Sequence, residues 1–186
     1  WRDLMPILSW LLLGGKCRYC NKQISFQYPL IELASGLFFL LLLVKFDISK
    51  TFLTYSFLCS ILIIASAIDI KHQIIPDGLV LIGILTGLVL TATGISVHWK
   101  SALVGMLIGG GTYLLVALLS LWILGKEGIG GGDIKLMAMI GLIIGWKLTI
   151  LSIVLSIYIG GLVGGLLLLF KIKRKGDSIP YGPFIA

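Results

Sequence analysis

The chain has 186 residues, 58% of them hydrophobic and 12% charged, with a mean hydropathy of +1.09. A soluble domain is nearer half apolar and a quarter charged, and no core of this size hides so much apolar surface. These values exclude an ordinary soluble enzyme, a disordered protein and a disulfide-stapled secreted domain, and leave an all-α, polytopic transmembrane helical bundle.

Taken in chain order, apolar runs lie at about 28–44, 51–69, 78–93, 101–124, 134–146 and 148–170. A straight crossing needs about 20 residues. Three runs (51–69, 101–124 and 148–170) meet that length, 28–44 is marginal, and 78–93 and 134–146 are short. Short helices are tolerated where their ends face protein or a water-filled cavity. The expectation is about six spans, with short helices at the active site. The chain starts with Trp1 and ends in an apolar lead-in after Ile179, so it reads as a window on a longer protein.

The net charge of +7 has a topological explanation. Lys16, Arg18, Lys22, Lys71, Lys126, Lys135, Lys171, Lys173, Arg174 and Lys175 fall in one set of loops. Lys45, Lys50, Lys100 and Lys147 fall in the other. By the positive-inside rule the first set, loops 14–27, 70–77, 125–133 and 171–178, is cytoplasmic. The basic residues lack aromatic interleaving, so no nucleic-acid partner is expected; the tail at 171–175 reads as a contact with lipid headgroups.

Glycines inside the spans, Gly105, Gly109, Gly110, Gly111, Gly141, Gly145, Gly160, Gly161, Gly164 and Gly165, read as helix-packing positions, Gly161-x-x-x-Gly165 being a common small-residue pattern. His72 and His98 have no partner at metal-ligand spacing and read as loop histidines.

The eight acids carry the functional signal. Asp3, Asp47 and Asp177 lie near the start, in an outer loop and in the basic tail; Glu32 sits a turn into the first long run as an interfacial or helix-pairing carboxylate. Asp69, Asp77, Glu127 and Asp133 all fall at one edge of the bundle. Carboxylates at such a position are expensive to hold in lipid, so they should face protein or a water cavity. Two brought together cannot both ionise cheaply, and a pair sharing one proton can activate water against a carbonyl. The plainer reading of either Asp alone is a helix cap or an ion-pair partner for Lys71 or Lys135. Residues 128–135, Gly-Ile-Gly-Gly-Gly-Asp-Ile-Lys, permit unusual backbone angles and close approach of another chain. A phosphate-binding loop is the rival, but its Gly-Lys-Ser/Thr ending is missing and Asp133 would repel phosphate.

Four blocks in this order resemble the type 4 prepilin peptidases, membrane aspartyl proteases of the Gly-x-Gly-Asp class that also act as N-methyltransferases. They are Cys17-Arg18-Tyr19-Cys20 with Tyr28-Pro29-Leu30-Ile31-Glu32-Leu33-Ala34-Ser35-Gly36; Ile68-Asp69 with Ile75-Pro76-Asp77; Gly130-Gly131-Gly132-Asp133-Ile134-Lys135; and Ile179-Pro180-Tyr181-Gly182-Pro183-Phe184. The resemblance implies that Asp69 and Asp133 are the catalytic pair. Gly130, Gly132, Lys135 and Glu127 support them, Lys135 and Glu127 by tuning the charge of Asp133, while Asp77 caps the helix beginning at Gly78. It implies prepilin or pseudopilin substrates and cleavage of a short basic leader at the cytoplasmic face of a bacterial membrane. No cofactor is needed for proteolysis; S-adenosylmethionine would serve the methylation. Residues 1–27 would be a cytoplasmic segment and 28–186 the transmembrane protease domain.

Cys17-x-x-Cys20 is half of a four-ligand zinc pattern. The family's bacterial members carry a second pair upstream, so zinc stays open beside a reading as two reduced thiols. Cys59, inside a span, reads as a packing residue. Two rival classes also stay open: an ion-coupled transporter using the same carboxylates as a cation site, and a structural assembly subunit indifferent to their loss.

Overall fold

The computed structural model describes residues 6–125, 128–171 and 180–186. A seven-residue helix, α1 (Pro6–Leu12), precedes six apolar helices: α2 (Gln27–Phe46), α3 (Lys50–His72), α4 (Asp77–Ala92), α5 (Trp99–Leu124), α6 (Gly131–Ile144) and α7 (Trp146–Leu169). A four-residue helix, α8 (Gly182–Ile185), closes the chain. All six expected apolar runs are therefore helices. Among the described residues, α2, α3, α5 and α7 are long and apolar enough to cross a membrane. α4 and α6, with 16 and 14 residues, reach only about 24 and 21 Å at 1.5 Å per residue. The protein is a multi-pass helical membrane protein in which short α6 is enclosed by its neighbours, while short α4 packs one face on α6 and leaves the other open.

α6 is the centre of the bundle. Leu136, Met137, Met139, Leu142 and Ile143 are all fully buried, on every face of the helix. A helix apolar all round belongs inside a protein, and here α5, α4 and α7 wrap it. The tightest crossing joins α5 to α6. A Cβ added at Gly105 would overlap the Gly141 carbonyl, one at Gly141 would overlap the Gly105 carbonyl, and one at Gly109 would overlap that of Met137. Gly105 and Gly109, four residues apart, thus form the small-residue stripe that lets the two backbones touch. Gly161 and Gly165, by contrast, have nothing within 4 Å of an added Cβ. The pattern that stood out in the sequence is not where helices meet.

Gly141→Ala should therefore cost about 3 kcal/mol, the upper end of overpacking penalties, because backbone rather than a flexible side chain stands in the way. Gly161→Ala should stay within about 0.5 kcal/mol of the parent, as open positions usually do. Thermal unfolding of the two variants in detergent reads the contrast, and equal midpoints would refute the crossing.

The helix ends follow local chemistry. The Ser49 hydroxyl accepts the Phe52 N–H at 3.1 Å to start α3. Gln73 ends α3 in the left-handed region at φ 54°, and Pro76 then keeps residue 75 out of helix. His98 is not an idle loop residue: its Nδ1 accepts the Lys100 N–H at 3.4 Å at the start of α5.

The two ends of the bundle differ as the charge pattern predicts. At one end Lys45, Lys100 and Lys147 each lie over a neighbouring ring, Phe46, Trp99 and Trp146, at 5.4, 5.7 and 5.7 Å. Such aromatic–lysine pairs mark a membrane–water interface. At the other end the Gln27 amide donates to the Ala67 carbonyl at 3.0 Å, setting the start of α2 beside the end of α3. This second end holds the buried acids.

Candidate active site

Asp69 lies in the last turn of α3 and Asp133 in the first turn of α6, 5% and 9% exposed. They come from helices 64 positions apart in sequence and line one cavity of about 240 Å³, with Gln73, Ile74, Ile75, Asp77, Gly130, Gly131 and Gly132. A volume of this size holds several waters, each occupying roughly 30 Å³.

Each acid is held by backbone. The Gly182 N–H, at the start of α8, donates to Asp69 Oδ2 at 2.8 Å. A Cβ at Gly182 would stand 2.8 Å from that same oxygen and 3.1 Å from Asp69 Cβ and Cγ. Asp133 sits where the free N–H groups of a helix start favour a carboxylate. Gly130 precedes the helix, with its α-carbon side 3.5 Å from Asp133 Oδ2 as measured from an added Cβ.

The glycine run works through space rather than unusual angles. Gly130 has φ −70°, and no residue from 128 to 132 has positive φ. A Cβ at Gly132 would lie 2.9 Å from Cβ of Ile75, a branched side chain that cannot swing away. The glycine there lets α6 start against the Ile75–Pro76 segment, bringing Asp133 into the cavity that Asp69 lines. On the far side, the Ser120 hydroxyl accepts the Gly128 N–H at 3.0 Å and ties the loop to α5.

The remaining expected residues divide. α4 begins at Asp77 itself with no side-chain cap, so Asp77 does not cap a helix from Gly78. Pro76, in extended conformation, already occupies the cap position. The Asp77 carboxylate instead takes the Lys135 ammonium at 2.7 Å, both side chains being more than half exposed. Lys135 therefore pairs with Asp77, joining α4 to α6 at the cavity mouth. An ion pair this exposed contributes about 0–1 kcal/mol. Neither Asp69 nor Asp133 is an ion-pair partner of Lys135. Glu127 lies outside the described residues.

Cys17 and Cys20 sit in the loop before α2, where Lys16 and Gln23 form an antiparallel bridge and the Cys17 N–H donates to the Lys22 carbonyl at 2.9 Å. Neither cysteine is in a disulfide, and Cys20 is exposed. Among the described residues no cluster of three or more His, Cys, Asp or Glu could hold a metal ion. Glu32 is exposed on α2 and, with Lys16, Arg18 and the rings of Trp10, Tyr19 and Tyr28, lines a separate 310 Å³ cavity.

Sequence alone assigns the Tyr181-Gly182-Pro183-Phe184 block no task. Its Gly182 N–H is the Asp69 partner, and Tyr181 packs on the same core as Tyr113, 2% exposed on α5.

A multi-pass helical membrane protein with two buried carboxyls meeting in a polar cavity at one end is the class that fold and site define. Within that class, the chain belongs to the type IV leader peptidase family, whose model matches residues 56–165 and so includes both acids. The bacterial peptidase A24 N-terminal domain matches residues 1–46. The chain is similar to proteins named prepilin leader peptidase/N-methyltransferase, 38% identical over 186 residues in Stutzerimonas stutzeri and 36% in Pseudomonas aeruginosa. In both cases all of this chain is covered, but it spans 64% of the relative's length. No solved structure matches the chain.

Proposed function

We propose that this chain carries the proteolytic centre of a prepilin leader peptidase in a bacterial cytoplasmic membrane, with Asp69 and Asp133 as an aspartyl pair at the cytoplasmic face. The observation that carries the reading is that these two buried carboxyls, from separate helices, line one cavity with room for several waters. In the mechanism, the pair shares one proton. The ionised carboxyl takes a proton from water as its oxygen attacks the scissile carbonyl, and the protonated one hydrogen-bonds the carbonyl oxygen. Collapse of the tetrahedral intermediate breaks the C–N bond, and the proton gained by the base passes to the leaving amine. The flanking glycines leave room for extended peptide beside the acids, and the 2.8 Å Gly182 N–H bond keeps Asp69 aimed into the cavity.

The relatives' names extend the proposal to methylation of the new N-terminal amine by S-adenosylmethionine, served by the segment before α2. Cys17 and Cys20 supply two of the four ligands that a structural zinc would need there; the rest lie outside what the described residues bring together. Prepilin or pseudopilin chains are the proposed substrates.

Incubation of the purified protein in detergent with a prepilin peptide and S-adenosylmethionine, read by mass spectrometry, scores both activities. The expected products are a shortened peptide and its N-methylated form. Asp-dependent ion flux in proteoliposomes without cleavage of any prepilin would overturn the proposal in favour of a carrier.

A further inference from the structure

Behind the two acids lies a hydrogen-bonded side-chain pair that the cleavage chemistry does not itself use. Tyr113 on α5 and Ser156 on α7 are 2% and 1% exposed, and their hydroxyl oxygens are 2.7 Å apart. The Ser156 hydroxyl also donates to the Ile153 carbonyl at 2.9 Å. Either hydroxyl can donate across this pair. Whichever does, the bond ties the edge of the Tyr113 ring to α7 and holds the ring in place.

That ring is the surface on which Tyr181 rests. The two ring centroids are 6.1 Å apart at an interplanar angle of 53°. On its other side Tyr181 leans on α7, where a Cβ at Gly160 would lie 2.9 Å from Tyr181 Cε2. Tyr181 immediately precedes Gly182, and its carbonyl accepts the N–H groups of Phe184 and Ile185, forming the single turn of α8. A four-residue helix has no stability of its own. Its placement, and that of the Gly182 N–H on Asp69, comes from its neighbours: α3 and α7 pack on α8 itself, Ile185 is buried in the core, and Tyr181 rests on Tyr113 and Gly160.

We propose that Tyr113, locked by Ser156, is a positioning residue of the aspartyl centre, acting through the Tyr181 ring to hold the Gly182 N–H against Asp69. The proposal rests on the proteolytic reading and adds to it a residue from outside the four blocks of resemblance. It makes α8 a clamp that packs on α3 and α7 and is steadied from α5 through the Tyr181 ring, so that α5 and α7 share in setting the aim of Asp69.

The test compares Tyr113→Phe, Ser156→Ala and the double variant with the parent, all purified in detergent and assayed on a prepilin peptide. Tyr113→Phe keeps the ring and removes the O–H. Its kcat should fall about tenfold, since small misplacements of catalytic groups cost one to two orders of magnitude. KM should stay within about twofold, because the substrate is not touched. Ser156→Ala should match it, and the double variant should be no worse than either, as members of one chain of contacts are not additive. Tyr181→Leu should lose activity as well, because it removes the ring through which the effect is transmitted. Unchanged kcat in both Tyr113→Phe and Ser156→Ala overturns the proposal. So does a loss of activity that follows unfolding midpoints alone, or that appears in KM instead of kcat. Asp69→Asn run alongside separates the two levels: cleavage by Asp69→Asn would overturn the proteolytic reading itself, whatever Tyr113 does.

Discussion

Asp69→Asn and Asp133→Asn should each lower cleavage of a prepilin peptide by at least about a thousandfold, within the range by which a positioned acid–base group accelerates its reaction. Both substitutions preserve shape, and neither side chain packs the core at the α5–α6 crossing, so membrane insertion and unfolding midpoint should change little. The loss should appear in kcat, since the acids act on water and the scissile carbonyl and not on the body of the substrate. The double variant should be scarcely worse than either single one, because a pair that shares one proton fails as a unit. Quantitative mass spectrometry of the released leader checks each point. Full cleavage by either single variant would remove that residue from the proposed pair.

This pairing explains an otherwise costly arrangement. Two carboxyls buried at the end of a bundle raise the free energy of the folded state, whether by desolvation or by mutual repulsion. The fold concedes the cost at one place only, in the first turn of α6 and the last turn of α3. Elsewhere Lys45, Lys100 and Lys147 at the opposite end pair with aromatic rings, and Lys135 is taken by exposed Asp77. Lys135, held by Asp77, is not an ion-pair partner of either buried acid.

How far the sequence shows this depends on the range of the interactions. The six apolar runs correspond to α2–α7 because lipid and core alike admit few charges, and that restriction is written residue by residue. The grouping of Asp69 with Asp133 followed from counting lysines in alternate loops, again a local signal summed along the chain. α1 and α8 were not legible: seven and four residues carry too little periodicity, and α8 exists only through its contacts with α3 and α7. The α5–α6 crossing was hidden for a different reason. Fourteen glycines lie in the spans, and composition cannot say which face another helix will meet. Asp77 misled because an Asp after Pro is a good capping residue locally, whereas its actual partner, Lys135, is 58 positions away. The Gly182–Asp69 bond joins residues 113 apart and uses a backbone N–H, which every residue but proline possesses, so no side-chain signature announces it.

Gly182→Ala should therefore be the most damaging substitution outside the two acids. Its added Cβ has no flexible neighbour to displace: Oδ2, Cγ and Cβ of Asp69 all stand within 3.1 Å, on a side chain that is itself buried. Either α8 retreats, breaking the 2.8 Å N–H bond, or Asp69 turns away from the cavity. Both movements spoil the same geometry. A displacement of about 1 Å at a catalytic group costs about a hundredfold in rate, and that is the expected fall in kcat. The stability loss should be smaller, about 1–3 kcal/mol as for a locally overpacked site, because α8 is a single turn at the edge and not the central crossing. Gly131→Ala is the matched comparison: an added Cβ there meets nothing within 4 Å, although the residue lines the same cavity. Its activity should remain within a few-fold of the parent. If the two alanines were equally harmful, the damage would come from changing a glycine near the site, and the clamp on Asp69 would have no special part in cleavage. If Gly182→Ala alone loses activity while its fold persists, the aim of Asp69 depends on a backbone group delivered from the last turn of the described chain.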